Sequence, residues 1–173
     1  MEETVEANEC MWKAYLIDPK HPEVFEFIRK VQPEIKLDLE KASEMMLKEK
    51  YDQALAYLRK GSDKNKNDFE INLMRSYIMR KQQKFKDAIS ELESMSSYLS
   101  SLHSQALSLE DMKLREGRIA ESFALLYNDM AAYLFDKKDY KDASMLFMEA
   151  KKFKINDPGI LCNIGDCALV LAV

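Results

Sequence analysis

Three short stretches decide how this chain folds: Lys50-Tyr51-Asp52-Gln53-Ala54, Lys84-Phe85-Lys86-Asp87-Ala88 and Asp139-Tyr140-Lys141-Asp142-Ala143. Each runs aromatic, two polar residues, alanine, and each sits between two amphipathic segments, behind a charged turn. Tyr51 and Phe85 are 34 residues apart, and Phe85 and Tyr140 are 55 apart, a 34-residue step enlarged by 21. Other positions keep the same register. Nine residues before each aromatic stands a small one (Ala42, Ser76, Ala131), and Gly165 extends that series 34 residues beyond Ala131. Three residues after the aromatic stands an alanine (Ala54, Ala88, Ala143), and seven after it a large residue (Leu58, Leu92, Phe147). Small residues let two helices approach closely, and the large one fills the space between successive pairs.

The placement of chain-bending residues agrees. Of 173 residues only four are glycine and four proline, and residues 34–157 hold no proline, as a helical body requires. An all-β chain, turning about every 8–12 residues, is excluded. Gly61, Gly117, Gly159 and Gly165 make no phosphate-cradling motif. Pro22, Pro33 and Pro158 each precede a helical pattern, Asp157 is placed to cap the last of these, and Asn67 with Glu70 resembles a capping box. The fold class is all-α.

A 34-residue period with small, small and large positions in this order resembles the tetratricopeptide repeat. The resemblance implies a right-handed α-solenoid of antiparallel helix pairs, A and B. It places repeats at about 35–68, 69–102 and 124–157, an insert at 103–123, and an incomplete fourth repeat from 158. The third repeat carries the pattern most fully, on Tyr127, Met130, Ala131, Leu134, Tyr140, Ala143, Phe147 and Ala150. Departures are Asp38 and Asn72, where the family has Trp or Tyr, and Met95 at a small position. Residues 1–34 precede the period. Val5–Ile17 and Pro22–Val31 read as two helices whose Trp12, Tyr15, Phe25 and Ile28 pack on the first repeat, the alternative being a peptide-like arm that docks elsewhere. In and before the insert, Tyr98, Leu102, Ala106 and Leu109 keep helical spacing, which predicts extensions of the neighbouring helices broken near Gly117.

Chemistry is sparse. The two histidines, His21 and His103, lie far from any nucleophile motif, and Cys162 with Cys167 lacks the further ligands of a zinc site. No enzyme activity and no cofactor are expected. The resemblance implies instead a scaffold for protein–protein interaction that takes a peptide or helix in the concave groove lined by the A helices. The matching positions are Lys36, Leu39, Ser43 and Met46 in the first repeat, Glu70, Leu73, Tyr77, Arg80 and Lys81 in the second, and Asn128, Ala132 and Phe135 in the third. Family members that clamp acidic chaperone tails use Lys and Asn at several of these places; Leu39, Ser43 and Leu73 argue against that specificity. The rival reading is an RNA- or acidic-surface-binding module. It rests on the basic run 75–86 of the second repeat (Arg75, Arg80, Lys81, Lys84 and Lys86), in a stretch, 59–86, that holds nine Lys/Arg against three acids although the net charge is −4.

Three cysteines, an odd number, read as free thiols of a reducing compartment, and the acidic start differs from a signal peptide, so a cytoplasmic, non-membrane protein is expected. Lys-rich turns and Gly165-Asp166-Cys167 resemble long eukaryotic repeat proteins, including those of cilia and the axoneme. Ile160–Val173 matches an A helix but is apolar on all sides from Cys167 onward. The expectation is a fragment or short isoform of a longer repeat protein, or an end covered by a partner or by self-association of two copies.

Overall fold

The computed structural model describes residues 37–64, 68–102 and 108–172. The expected N-terminal helices, Lys36, Asn67 and residues 103–107 of the insert fall outside them. Every described element is helical: α1 Leu37–Leu47, α2 Tyr51–Lys64, α3 Phe69–Lys81, α4 Phe85–Ser101, α5 Leu109–Asp136, α6 Tyr140–Phe153 and α7 Pro158–Leu171.

Successive helices pack as antiparallel pairs, α1 with α2, α3 with α4 and α5 with α6, and α7 lies against α6. One turn geometry makes all three pairs. Glu49, Gln83 and Lys138 adopt positive φ, at 56°, 58° and 65°. The next amide in each turn reaches back five residues, Lys50 N–H to Met45 C=O, Lys84 N–H to Met79 C=O and Asp139 N–H to Leu134 C=O, at 2.8–3.0 Å. The residue with positive φ donates to the carbonyl three back (Met46, Arg80, Phe135) at 2.9–3.0 Å. This is the left-handed C-terminal cap of a helix, usually a glycine position. Here charged or amide side chains occupy it, which explains how so few glycines suffice.

The positions in the 34-residue register form the seams between helices. Ala42, Ala54, Ala88, Ala131 and Ala143 are fully buried, Ser76 nearly so, and Leu58, Leu92 and Phe147 fill the space beside them. The core is divided accordingly. A main cluster runs from Leu39 in α1 to Leu126 in α5. Two smaller seams follow, Ala131, Ala143, Phe147 and Cys167 in one and Ala124, Ala150 and Ile160 in the other. Each seam joins only neighbouring helices, the packing of a repeat stack.

Two local expectations are corrected. The chain does not break near Gly117: α5 is a single helix of 28 residues, about 42 Å long at 1.5 Å per residue. Its side chains supply the reason, because Arg115 and Arg118, on either side of Gly117, both stack on the Phe69 ring, 5.0 and 4.7 Å from its centroid. A helical glycine costs about 1 kcal/mol against alanine, and these anchors outweigh it. The start of α3 is capped by Asp68, whose Oδ1 accepts from the amides of Glu70 and Ile71 at 3.1 and 3.0 Å. Glu70 is no capping-box partner, since its carboxylate is engaged elsewhere. Asp157 caps α7 as expected, accepting from Ile160 N–H at 3.1 Å.

Candidate protein-interaction surface

The first helices of successive pairs are tied side by side by polar links. Between α3 and α5 the Arg118 guanidinium forms a bidentate pair with the Glu70 carboxylate, Nη1 to Oε1 at 2.5 Å and Nη2 to Oε2 at 2.6 Å. Both side chains are almost wholly buried, at 6% and 3% exposure. Further along the same helices, Arg80 Nε lies 3.4 Å from Asp129 Oδ2, and its guanidinium stacks on the Tyr77 ring at 5.2 Å. Burial pulls Arg80 below its ordinary pKa, and Asp129 opposes that shift. Between α5 and α7, Asn163 Nδ2 donates to Asn128 Oδ1 at 2.9 Å.

Against this frame the twelve residues expected to line a groove divide. Leu39, Met46 and Leu73 belong to the main core, and Ser43 is buried as well. Glu70 is buried under Arg118. These five are packed inside the fold, where burial between the first helix, its second helix and the neighbouring pairs stabilises them. Tyr77 and Arg80, at 9% and 7% exposure, form the floor beside α5. The void they share with Leu73 and Leu126 measures about 10 Å³, room for one water at most. Lys81 is exposed, its ammonium 5.5 Å from the Tyr77 ring centroid, and Asn128, Ala132 and Phe135 are half-buried. Phe135 meets Tyr140 edge-on at 5.0 Å.

Part of the basic run of the second repeat is engaged in pairs within the chain. Arg75 Nη1 lies 3.2 Å from Glu91 Oε1, whose pKa burial raises while Arg75 opposes. Arg80 faces Asp129, and Lys84 stands 4.0 Å from Asp52. Arg75 and Arg80 are thus committed inside the fold, whereas Lys81, Lys84 and Lys86 stand exposed.

Several residues of this frame escape a reading of the sequence. Glu70 and Arg118 are 48 positions apart and obey no local rule. Asn128 and Asn163, by contrast, are 35 apart, one period and one residue, so a search for polar residues in register would find them. The α5–α6–α7 corner is built from Phe123, Tyr127 and Phe153, stacked with ring centroids 5.1–6.2 Å apart. Beside them Lys154 is held by Glu121 at 2.9 Å and Asp157 at 3.3 Å. Those contacts raise the Lys154 pKa, the hydrogen bond to Glu121 first among them. A further hollow of about 120 Å³ lies between α3, α4 and α5, lined by Phe69, Asn72, Glu91, Met95, Tyr98 and Arg115 among others.

Antiparallel helix pairs in sequential contact, with small and large seam residues in a 34-residue register, define an all-helical repeat stack in the arrangement of tetratricopeptide repeats. Sequence comparison carries this to particular relatives, because the chain is distantly homologous to tetratricopeptide repeat protein 16. It is 25% identical to the Homo sapiens protein over 154 residues, 89% of this chain and 17% of that protein. The Mus musculus protein is 23% identical over 154 residues, 89% of this chain and 19% of its own length. The chain thus spans less than a fifth of the curated relatives it matches. No family model matches it, and no solved structure does. In general terms the relationship is to protein-interaction repeats. No described helix is long and apolar enough to cross a membrane.

Proposed function

We propose that the chain is a protein-interaction scaffold that holds a peptide or helix of another protein across the first-helix face, on Lys81, Asn128, Ala132 and Phe135. The observation that supports this reading most is the pair of polar links Arg80–Asp129 and Asn128–Asn163, which order α3, α5 and α7 into one platform before any ligand arrives. Preordering lowers the entropic cost of binding. The platform mixes apolar, amide and basic groups, which suits a segment with apolar anchors and some acidic residues. The role needs no catalysis. We place the protein in the cytoplasm, on the free thiols of Cys162 and Cys167.

The test is proximity labelling in cells with the wild-type chain and with Lys81→Glu combined with Ala132→Arg, the first at an exposed position and the second at a half-buried one on the edge of the Ala131 seam. The reading expects a subset of labelled proteins to disappear with the variant while its circular dichroism is unchanged. A labelled set identical for the two proteins would overturn it.

A further inference from the structure

A second site lies off the first-helix platform and does not rest on the groove reading. It is the hollow of about 120 Å³ at the start of α3, roughly 18 Å along that helix from Lys81. The hollow forms because two of its walls are longer than the third. α3 has 13 residues, whereas α4 has 17 and α5 has 28. Arg115 sits on the ring of Phe69, the first residue of α3, so the part of α5 that precedes Arg115 overruns α3. On α4, antiparallel to α3, Glu91 meets Arg75 at 3.2 Å, which sets Leu99 and Leu102 beyond Phe69 as well.

Arg115 stands apart from the chain's other shielded arginines. Arg75, Arg80 and Arg118 are buried or half-buried, and each has a carboxylate oxygen within 3.4 Å, from Glu91, Asp129 and Glu70. Arg115 is half-buried too, with its guanidinium 5.0 Å from the Phe69 ring centroid, but it makes no ion pair among the described residues. Glu91, the carboxylate that lines the same hollow, is taken by Arg75. A cation partly withdrawn from water is stabilised by an opposite charge, so complementarity calls for a carboxylate at Arg115. A phosphate would answer the charge but not the apolar lining of Phe69, Met95, Leu99 and Leu102. Size narrows the occupant further. Pockets for free small molecules run to about 300–1,000 Å³, and an apolar cavity of about 150 Å³ holds one benzene, so this hollow has room for a single branched aliphatic group or ring.

We propose that the hollow docks a segment of another protein in which a leucine- or phenylalanine-sized side chain stands beside an acidic residue. The apolar side chain enters against Met95 and Leu99, and the carboxylate pairs with Arg115. The guanidinium keeps its stack on Phe69 meanwhile, because stacking uses its face and hydrogen bonding its edge. Arg115 comes from the insert, so this site belongs to the chain's departure from the 34-residue register and not to the repeat pattern.

The test is NMR of the full chain carrying carbon-13 methyl-labelled methionine. The Met95 methyl group reports on the hollow directly, and its signal is assigned by its loss in Met95→Leu. The probes are the peptide acetyl-Gly-Leu-Asp-Gly-amide, whose only charge is the carboxylate, its Asn counterpart, and free isocaproate. A saturable shift of the Met95 signal is expected with the Asp peptide, at least about tenfold tighter than with the Asn peptide, as for a charge-assisted contact. Arg115→Gln should bring the two peptides to the same affinity. Ser94→Phe, at an exposed lining position, should block both. No saturable shift, the result also if this chain's own residues fill the hollow, overturns the proposal. So do equal affinities of the wild-type chain for the two peptides, an Arg115→Gln chain that still prefers the Asp peptide, and binding untouched by Ser94→Phe. Tighter binding of isocaproate than of the Asp peptide overturns it as well, since the site would then serve a free acid.

Discussion

Replacing Arg118 with methionine removes a charge but keeps most of the side-chain volume, and it leaves the Glu70 carboxylate at 3% exposure without its bidentate partner. Breaking one side of a buried ion pair costs about 3–5 kcal/mol. Loss of the guanidinium from the Phe69 ring, 4.7 Å away, adds about 0.5–2 kcal/mol. Glu70→Leu strands Arg118 in the same way and should cost a similar amount. The double variant Glu70→Leu/Arg118→Met buries no charge at this point, and exchanging a buried pair for apolar residues is often neutral or better. It should therefore recover most of the loss, with only the ring contact missing. Urea unfolding followed by circular dichroism measures this, with each single variant lowering the midpoint by roughly 1–5 M at the slopes of about 1–3 kcal/mol/M usual for small proteins. Single variants costing under about 1 kcal/mol would refute the reasoning. So would a double variant as damaged as the sum of the two singles, because the pair would then not be coupled.

Other outcomes follow from single sites. Gly117 is helical with nothing within 4 Å of an added Cβ, so Gly117→Ala should stabilise the chain by about 0.5–1 kcal/mol in the same urea assay. Lys138 holds φ at 65°, and Lys138→Gly should relieve about 1–2 kcal/mol of left-handed strain. Greater freedom of the unfolded chain takes back about 0.4–1 kcal/mol, so a small net gain in thermal midpoint is expected. Asp157 is held below its ordinary pKa of 3.8 first by the Ile160 amide, with Lys154 adding to the effect. Because the folded value is the lower one, its contribution is complete above 3.8 and is lost as pH falls through the folded value. Asp157→Asn keeps the cap and loses that dependence. The stability gap between the two proteins, measured by urea unfolding, should close as pH drops from about 5 to about 2.

The seams were legible because they repeat. Ala42, Ser76 and Ala131, with the alanines and large residues that follow, stand at fixed distances, and helix packing demands the same sizes each time. Asp157 was legible because capping is local. The turns were placed by their charges, but their positive φ was hidden, since Glu49, Gln83 and Lys138 are poor markers of a left-handed cap. The surface was read less well. Leu39, Met46 and Leu73 fall on groove positions by alignment, yet whether such a side chain faces a ligand or the core depends on neighbouring helices. Glu70 illustrates this limit. Its role is set by Arg118, on a helix that sequence alone divides at Gly117.

Amide hydrogen exchange across residues 109–136, read by mass spectrometry, tests the central claim most directly: residues 109–123 of the insert are the first half of one long helix, locked to α3 and continuous with the seam on α6. The account predicts slow exchange running without interruption from about Met112 through Gly117 to Phe135, with protection of the first half lost selectively in Arg118→Met. A fast-exchanging break at residues 115–120 in the wild-type chain would contradict it.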